Sequence, residues 1–585
     1  MGRSFPLKSF PLKVFVDKEK QRVAFVEAGK DFVDILFSFL SSPLGKFGCL
    51  LGWKPSFGSV DNLYSSVKFR QGIKQLQTRA CYFLLLRPRR AYEFLYDNLA
   101  LNLGNSGPFM VFRCPSWTCC TEDYPFFSTV YDAMCPCGSA MSAFLDCIRP
   151  EEQEDGVFVT GGSKFLITDN LCVLPMSTST VEAHLHKLGI EDRSTLEERT
   201  VPFSNHRLLV LMERSLVSMT PLTDALLFNP APPIWLKYFC CTSIGDNYEK
   251  AYVQLPNSVG TDEMLFKGAD KHLINLGDDV VEEFPGEDTS LLGREGWRGM
   301  LFQESKFFTK KHLKCLISAA RSTMRFWSGL SDFSSKKMSR SKDVKVKLIR
   351  WRATKNVAFI EAGKDFVDIL FSFLTIPLGG IIRLLDEDCS LGCIYNLYQS
   401  VEELVDAGDL VKPRECKSML LSPRIATHSG ITTQILRIEE APPMKVIVQR
   451  CYTCRYQRIF TPDLPSKCIH GVDAVLLEEL NPKLPYPCSI SGGGFVKGEG
   501  KFTVTNNMRV FSCSAFHFLN KAMICTGLFE AREISIGEVE VLKLLKACLS
   551  SRSPLNDVFR GVGSGAKYWA RKRVNPFVDG CKKEQ

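Results

Sequence analysis

The feature that most constrains this chain is that one stretch of it is written twice. Residues 24–40 read AFVEAGKDFVDILFSFL and residues 358–374 read AFIEAGKDFVDILFSFL, differing only at Val26 and Ile360. The register then holds without a gap: Pro43-Leu44-Gly45 answers Pro377-Leu378-Gly379, and Asn62-Leu63-Tyr64 answers Asn396-Leu397-Tyr398. Further blocks follow in the same order. Cys81 to Arg89 matches Cys416 to Arg424, Phe158 to Asn170 matches Phe495 to Asn507, and Pro221 to Asp224 matches Pro554 to Asp557. Self-similarity on this scale dictates a duplicated structural unit.

The repeat divides the chain. The first copy occupies residues 1–235, with a front half at 12–110, a cysteine cluster at 111–150 and a back half at 156–235. Residues 236–343 have no partner elsewhere and form a middle segment and linker. It carries an acidic stretch (278–288), an apolar pattern suited to a helix (Lys311 to Trp327) and a basic Ser/Lys stretch (334–342). The second copy runs over 344–560, with a front half at 344–445, a Cys/His cluster at 446–490 and a back half at 491–560; a basic tail covers 561–585.

Within a copy, Leu12 to Val16 alternates apolar and polar residues, passes through the polar turn Asp17 to Gln21 and resumes at Arg22 to Val26, which predicts a β-hairpin. A helix is expected over Phe32 to Leu40, capped by Asp31 and ended by Pro43 and Gly45, with Phe32, Ile35, Leu36 and Phe39 on its buried face. Helices are also expected over Val60 to Phe69, Leu208 to Val217 and Val539 to Leu549, and strands within Phe158 to Thr168 and from Val173. Hairpins packed on helices without βαβ spacing define an α+β class: two tandem copies of a hairpin-and-helix module with a zinc-knuckle-like insert.

That insert is the most informative chemistry. The first copy has Cys114-x4-Cys119 followed by Cys135-Pro136-Cys137-Gly138; the second has Cys451-x2-Cys454 followed by Cys468-Ile469-His470-Gly471. Fifteen residues separate the pairs in one copy and 13 in the other, and Cys137 and His470 hold equivalent places before a glycine. As packing groups, cysteine and histidine differ; as zinc ligands they interchange, because thiolate and imidazole both suit a borderline-soft tetrahedral ion. A disulfide does not account for the histidine. The eight ligands expected are therefore Cys114, Cys119, Cys135 and Cys137, then Cys451, Cys454, Cys468 and His470, holding structural zinc with no open coordination position. Cys120 competes with Cys119 for the second place.

These ordered blocks resemble the plant family called "domain of unknown function 674": EAGKDFVDILFSFL, PLG, NLY-x-SV, C-x6-PR, the cluster ending in Cys-Gly, and FV-x-G before the strand. The resemblance covers both copies and leaves the middle segment outside. It implies a plant protein and brings no activity or catalytic residues. The second copy departs from it at the opening turn, where Trp351-Arg352-Ala353-Thr354 replaces Asp17-Lys18-Glu19-Lys20.

Other candidates weigh less. Glu27, Lys30, Asp31 and Asp34, with Glu361, Lys364, Asp365 and Asp368, could form an acid/base or anion site at a helix start, but capping by Asp31 and a Glu27–Lys30 ion pair explain them more simply. Gly561 to Lys567 lacks the Gly-Lys-Ser/Thr ending of a phosphate loop, and the basic tail reads as solvated. His184 and His186, two apart on a helix, point away from each other, and Cys240 and Cys241 lie in an apolar run. No nucleophile–base–acid set, His-Glu-x-x-His or dinucleotide fingerprint occurs, which argues against an enzyme; no small-molecule substrate suggests itself.

A net charge of +9 over 585 residues permits contact with nucleic acid without demanding it. With 45% hydrophobic residues, the chain has the material for cores, which excludes wholesale disorder. Neither a secretory leader nor an apolar run of membrane-spanning length is evident, so a cytoplasmic or nuclear setting is expected, where 23 cysteines suit metal rather than disulfides. The expected function is a zinc-stabilised scaffold for a protein partner. The alternative is nucleic-acid binding through Arg113, Trp117, Arg455, Tyr456 and Arg458 around the clusters.

Overall fold

A computed structural model describes residues 9–51, 58–68, 74–101, 111–116, 119, 125–147, 157–228, 343–386, 391–406, 414–451, 457–460, 472–484, 493–498, 500–512 and 528–561. The expected helix over Lys311 to Trp327, Cys240 and Cys241, and the tail beyond Gly561 lie outside them.

The first copy gives β1 (Ser9–Asp17), β2 (Arg22–Ala28), α1 (Lys30–Phe37), α2 (Leu44–Leu51), α3 (Val60–Lys68), α4 (Arg79–Leu86), β3 (Val111–Arg113), β4 (Phe126–Ser128), β5 (Ala133–Met134), β6 (Ala140–Met141), β7 (Ala143–Cys147), β8 (Phe165–Thr168), β9 (Val173–Pro175), α5 (Thr178–Leu188), β10 (Leu196–Ser204), α6 (Asn205–Val217) and α7 (Pro221–Leu226). The second gives β11 (Val344–Trp351), β12 (Val357–Ala362), α8 (Lys364–Ser372), α9 (Leu378–Leu385), α10 (Ile394–Asp406), α11 (Arg414–Leu421), β13 (Lys445–Cys451), β14 (Gln457–Phe460), β15 (Val472–Glu479), β16 (Phe502–Thr505), β17 (Val510–Ser512), β18 (Phe529–Ile536), α12 (Glu538–Ser550) and α13 (Pro554–Phe559). The class is α+β, and the elements of the second copy follow the order of the first; among the described residues, β5, β6 and α5 of the first copy have no counterpart in the second.

Each copy builds an antiparallel five-stranded sheet: β10-β1-β2-β8-β9 in the first, and β18-β11-β12-β16-β17 in the second. The opening hairpin forms in both, with a bulge at the same place (Phe15/Val16 and Ile349/Arg350). In the first, Asp17 Oδ1 accepts the Glu19 and Lys20 N–H groups. In the second, Trp351 and Asn356 pair through their backbones and Lys355 takes a left-handed φ of 59°, so the turn closes without the charged residues of its counterpart.

The expectations for α1 need correction. The N-cap of α1 is Gly29 rather than Asp31, which sits inside the first turn, and the helix ends at Phe37. Phe32 to Phe37 are all buried, so α1 is a core helix rather than a one-sided one. Pro43 does not end it: Ser38, Ser41 and Ser42 hydroxyls tie off the last carbonyls, while Gly45 lies inside α2.

The two copies belong to one compact unit. Their remaining strands combine into a closed barrel of order β13-β14-β7-β3-β4-β15, three strands from each copy. Each trio is antiparallel internally, and the trios join through two parallel pairings, β14 with β7 and β15 with β4. Exchanging the copies maps this order onto itself, so a pseudo-two-fold axis runs through the barrel. Its core mixes Val111 and Phe127 with Val446, Val448 and Leu477. Among the described residues, no helix is long and apolar enough to cross a membrane.

Candidate metal centre

The barrel positions the cysteines. Strand β3 delivers Cys114 directly from its end, and Cys119 follows in a turn where the Ser116 hydroxyl accepts the Cys119 N–H (3.3 Å). The short β5–β6 hairpin then brings in the second pair, with Ala133 opposite Met141 and Met134 opposite Ala140. Its tip is Cys135 to Ser139, closed by Cys135 N–H to Ser139 O (2.9 Å) and Gly138 N–H to Cys135 O (2.8 Å). Gly138 adopts φ +85°, a left-handed conformation that a side chain strains, and this is why glycine follows the cysteine. A salt bridge from Arg79 on α4 to Asp132 (2.9 Å) anchors the hairpin base, and Tyr131 packs its ring against Phe83 and Phe112.

The four sulfurs converge. Cys114 Sγ lies 3.7 Å from Cys137 Sγ, Cys119 Sγ lies 3.6 Å from Cys135 Sγ, and all four lie within 4.8 Å of one another. A disulfide needs about 2 Å between sulfurs. A tetrahedral ion with metal–sulfur bonds of about 2.3 Å needs its ligands about 3.8 Å apart. The observed spacing and the all-thiol donor set thus fit a four-coordinate soft or borderline ion. Cys114, Cys119 and Cys135 are buried and Cys137 is exposed, leaving an entry route for an ion. Cys119 supplies the second sulfur of this group; Cys120 is outside the described residues.

The electrostatics divide the cluster. Hydrogen bonds from the Ser139 hydroxyl and backbone pull the Cys137 thiol down to about 6. Burial pushes Cys135 up to about 12 and raises Cys119 further, and at Cys119 the neighbouring sulfurs add to the rise. Four thiolates this close repel one another, and a bound cation is what lets them ionise together.

In the second copy, Cys451 ends β13 as Cys114 follows β3, while Cys454, Cys468 and His470 lie outside the described residues. An arginine precedes the first ligand in both copies, Arg113-Cys114 and Arg450-Cys451. Arg113 is buried and donates to the Cys114 and Pro115 carbonyls (2.6 and 3.2 Å), so it shapes the ligand turn and is not presented to a phosphate. Trp117, Arg455 and Tyr456 are outside the described residues; Arg458 stands on β14 where it pairs in parallel with Asp146. Among the described residues, the four cysteines are the one group of three or more metal-binding side chains brought together. His184 instead places Nε2 2.9 Å from the Ala24 carbonyl.

The polar group at the helix start is structural, by a route other than the one expected. Asp34 is buried, and its carboxylate accepts three backbone N–H bonds, from Val157 (2.6 Å), Phe158 (2.8 Å) and Val159 (2.9 Å). Asp368 does the same for Phe495 (2.7 Å) and Val496 (3.0 Å). Burial nevertheless outweighs those bonds and lifts the Asp368 carboxyl to about 6. The structure pairs Glu27 with Lys164 (2.6 Å) and Lys13 (3.6 Å).

The chain is thus a duplicated α+β protein whose copies share a barrel, with a four-cysteine centre between the end of barrel strand β3 and the β5–β6 hairpin. It belongs to the family described as "Protein of unknown function (DUF674)", whose model matches residues 7–255 and 340–579, one match per copy. No curated protein and no solved structure matches it.

Proposed function

We propose that this protein is a non-enzymatic scaffold, stabilised by structural zinc, that binds a partner protein through the face around its metal centres. The observation that carries the reading is the convergence of Cys114, Cys119, Cys135 and Cys137 at tetrahedral sulfur spacing. Four protein ligands close the coordination sphere, so the ion contributes folding free energy, on the order of 10 kcal/mol, rather than an open catalytic position. The same reading assigns a second centre to Cys451, Cys454, Cys468 and His470, which hold the matching places in the sequence of the second copy. Met134 and Phe144, apolar side chains exposed by about two-fifths on the ligand hairpin and on β7, supply contact surface for a protein. A reducing cytoplasmic or nuclear setting suits these thiols.

The test is elemental mass spectrometry of the tag-free protein, repeated on Cys135→Ser and Cys468→Ser. Two zinc ions per chain, falling by one in each variant, are expected. A folded protein without zinc overturns the reading. Salt-dependent binding of RNA or DNA oligonucleotides would replace the protein partner with a nucleic acid.

A further inference from the structure

The motifs shared by the two copies mark where one copy enters the other. Helix α10 of the second copy lies along β9, the edge strand of the first sheet: Ser400 Oγ accepts the Val173 N–H (2.9 Å) and Asn396 Nδ2 donates to Asn170 O (2.7 Å). Helix α3 of the first copy returns the contact to β17. There Ser66 Oγ accepts the Val510 N–H (2.9 Å) and Asn62 Nδ2 donates to Asn507 O (2.8 Å). A second reciprocal pair joins loop to helix end, from Ser59 N–H to Cys548 O (2.8 Å) and from Cys393 N–H to Ser215 O (2.7 Å). On the axis, Pro43 bridges Pro377, flanked by Leu44 N–H to Ile376 O and Leu378 N–H to Ser42 O.

The barrel completes the exchange. Alone, either trio of strands would expose two open edges and half of an apolar core, a combination that favours pairing with another chain over remaining in water. We infer that the two copies are obligate partners of each other, an intertwined pair that covers the β9 edge of one sheet and the β17 edge of the other and closes the barrel by association, so that their assembly does not depend on the covalent connection through residues 229–342. The chemistry of recognition is backbone pairing on the axis and in the barrel, with the Asn and Ser clasps of the NLY-x-S(V) segments at the sheet edges.

A protease recognition sequence inserted between residues 244 and 341 of the full chain tests this. After cleavage, both fragments are expected to elute together at the mass of the uncut protein and to separate only at the denaturant concentration that abolishes the circular dichroism. Separation in native buffer into two fragments that each keep their secondary structure overturns the inference. A second measurement serves if the insertion disturbs folding. In the uncut chain, Gly392→Ala, in the second copy, is expected to lower amide protection in α6 of the first copy as much as in α10 of the second. Protection lost in the second copy alone overturns it.

Discussion

Asp34 offers the sharpest test of whether the acidic motif at the start of each copy is structural. Its carboxylate is 2% exposed and is held by three N–H groups at 2.6–2.9 Å, which open the back half of the copy. Replacement by alanine strands three buried donors. Each unsatisfied donor costs about 1–3 kcal/mol, partly offset because a buried charge is also removed, so Asp34→Ala is expected to lose about 3–5 kcal/mol. Asp34→Asn should lose less, about 1–3 kcal/mol: its amide oxygen can take the place of Oδ1 and keep Phe158 and Val159, while its NH2 group meets the Val157 N–H. Asp368 accepts two such bonds, and its carboxyl, lifted to about 6 by burial, is less favoured as the ion at neutral pH, so Asp368→Ala is the milder change. Gly494→Ala should imitate it, because a Cβ there would fall 1.7 Å from Asp368 Oδ2. Urea unfolding followed by far-ultraviolet circular dichroism measures all four variants. An Asp34→Ala protein within 1 kcal/mol of wild type, by the roughly 1 kcal/mol scale of a single neutral hydrogen bond, would refute the reasoning and return the aspartate to the list of candidate reactive groups.

Two further outcomes follow from the geometry. Gly58 and Gly392 take φ of +62° and +57°, and a Cβ on either would lie 2.2 or 2.6 Å from the carbonyl of Cys548 or Ser215 in the opposite copy; each alanine variant is therefore expected to cost at least about 2–3 kcal/mol, read as a fall in thermal midpoint. His428 is buried and its pKa is lowered from 6.5 to about 4, by burial first and by the nearby Lys483 charge second. The unfolded chain takes up a proton there between those values and the folded one does not, so stability is lost as pH falls from 6.5 to 4, by at most about 3 kcal/mol. His428→Asn, which tolerates the left-handed φ of 59° at this position, should flatten that acid limb in unfolding curves taken from pH 7 to 4; an unchanged slope would show that other groups carry it.

The four-cysteine group of the first copy was the most legible part of the site, because ligand chemistry is a property of residue type: the spacing of Cys114, Cys119, Cys135 and Cys137 marks them as a set without any knowledge of distance. What the sequence could not carry was long-range partnership. Asp31 looks like the cap and Asp34 like an incidental acid, since capping preference is local and the N–H groups that Asp34 holds are 123–125 residues away. Asn62, Ser66, Asn396 and Ser400 stand out as matched residues, yet a repeat shows that two segments are alike and not which copy each one touches. The barrel strands were hidden for a related reason. Val111–Arg113 and Phe126–Ser128 are too short to show alternation, and the partners that close the barrel belong to the other copy. Ser139, whose hydrogen bonds lower Cys137, carries no signal beyond its place after Cys-Gly. The arginine preceding Cys114 and Cys451 did carry one: the Arg-Cys pair recurs in both copies.

Joining the copies in one chain also changes what the axis can hold. In a symmetric pair of identical copies, a residue on the two-fold axis meets itself, as Pro43 and Pro377 still do. Arg90 and Ile425 occupy equivalent places directly after the C-x6-PR segments and bridge each other, and both are 2% exposed. Arg90 donates to Ser42 Oγ (2.9 and 2.7 Å) and lies over the Tyr96 ring, 4.7 Å from its centroid, while Ile425 fills the opposite side with hydrocarbon. Two arginines there would bury like charges against each other. Two isoleucines would take the donor from Ser42 and the cation from the ring. Lys46, buried and paired with Glu93 at 3.4 Å, likewise stands where the second copy has Gly380. Beside the like pair Pro43 and Pro377, the seam thus holds unlike residues, which a symmetric pair of identical copies could not supply. Ile425→Arg restores the symmetric arrangement and should cost about 3–5 kcal/mol, the scale of an uncompensated buried charge, whereas Arg90→Ile, which removes a charge, should cost less. If the two substitutions destabilise equally in urea, charge asymmetry is not what the axis requires, and packing volume alone sets the pairing.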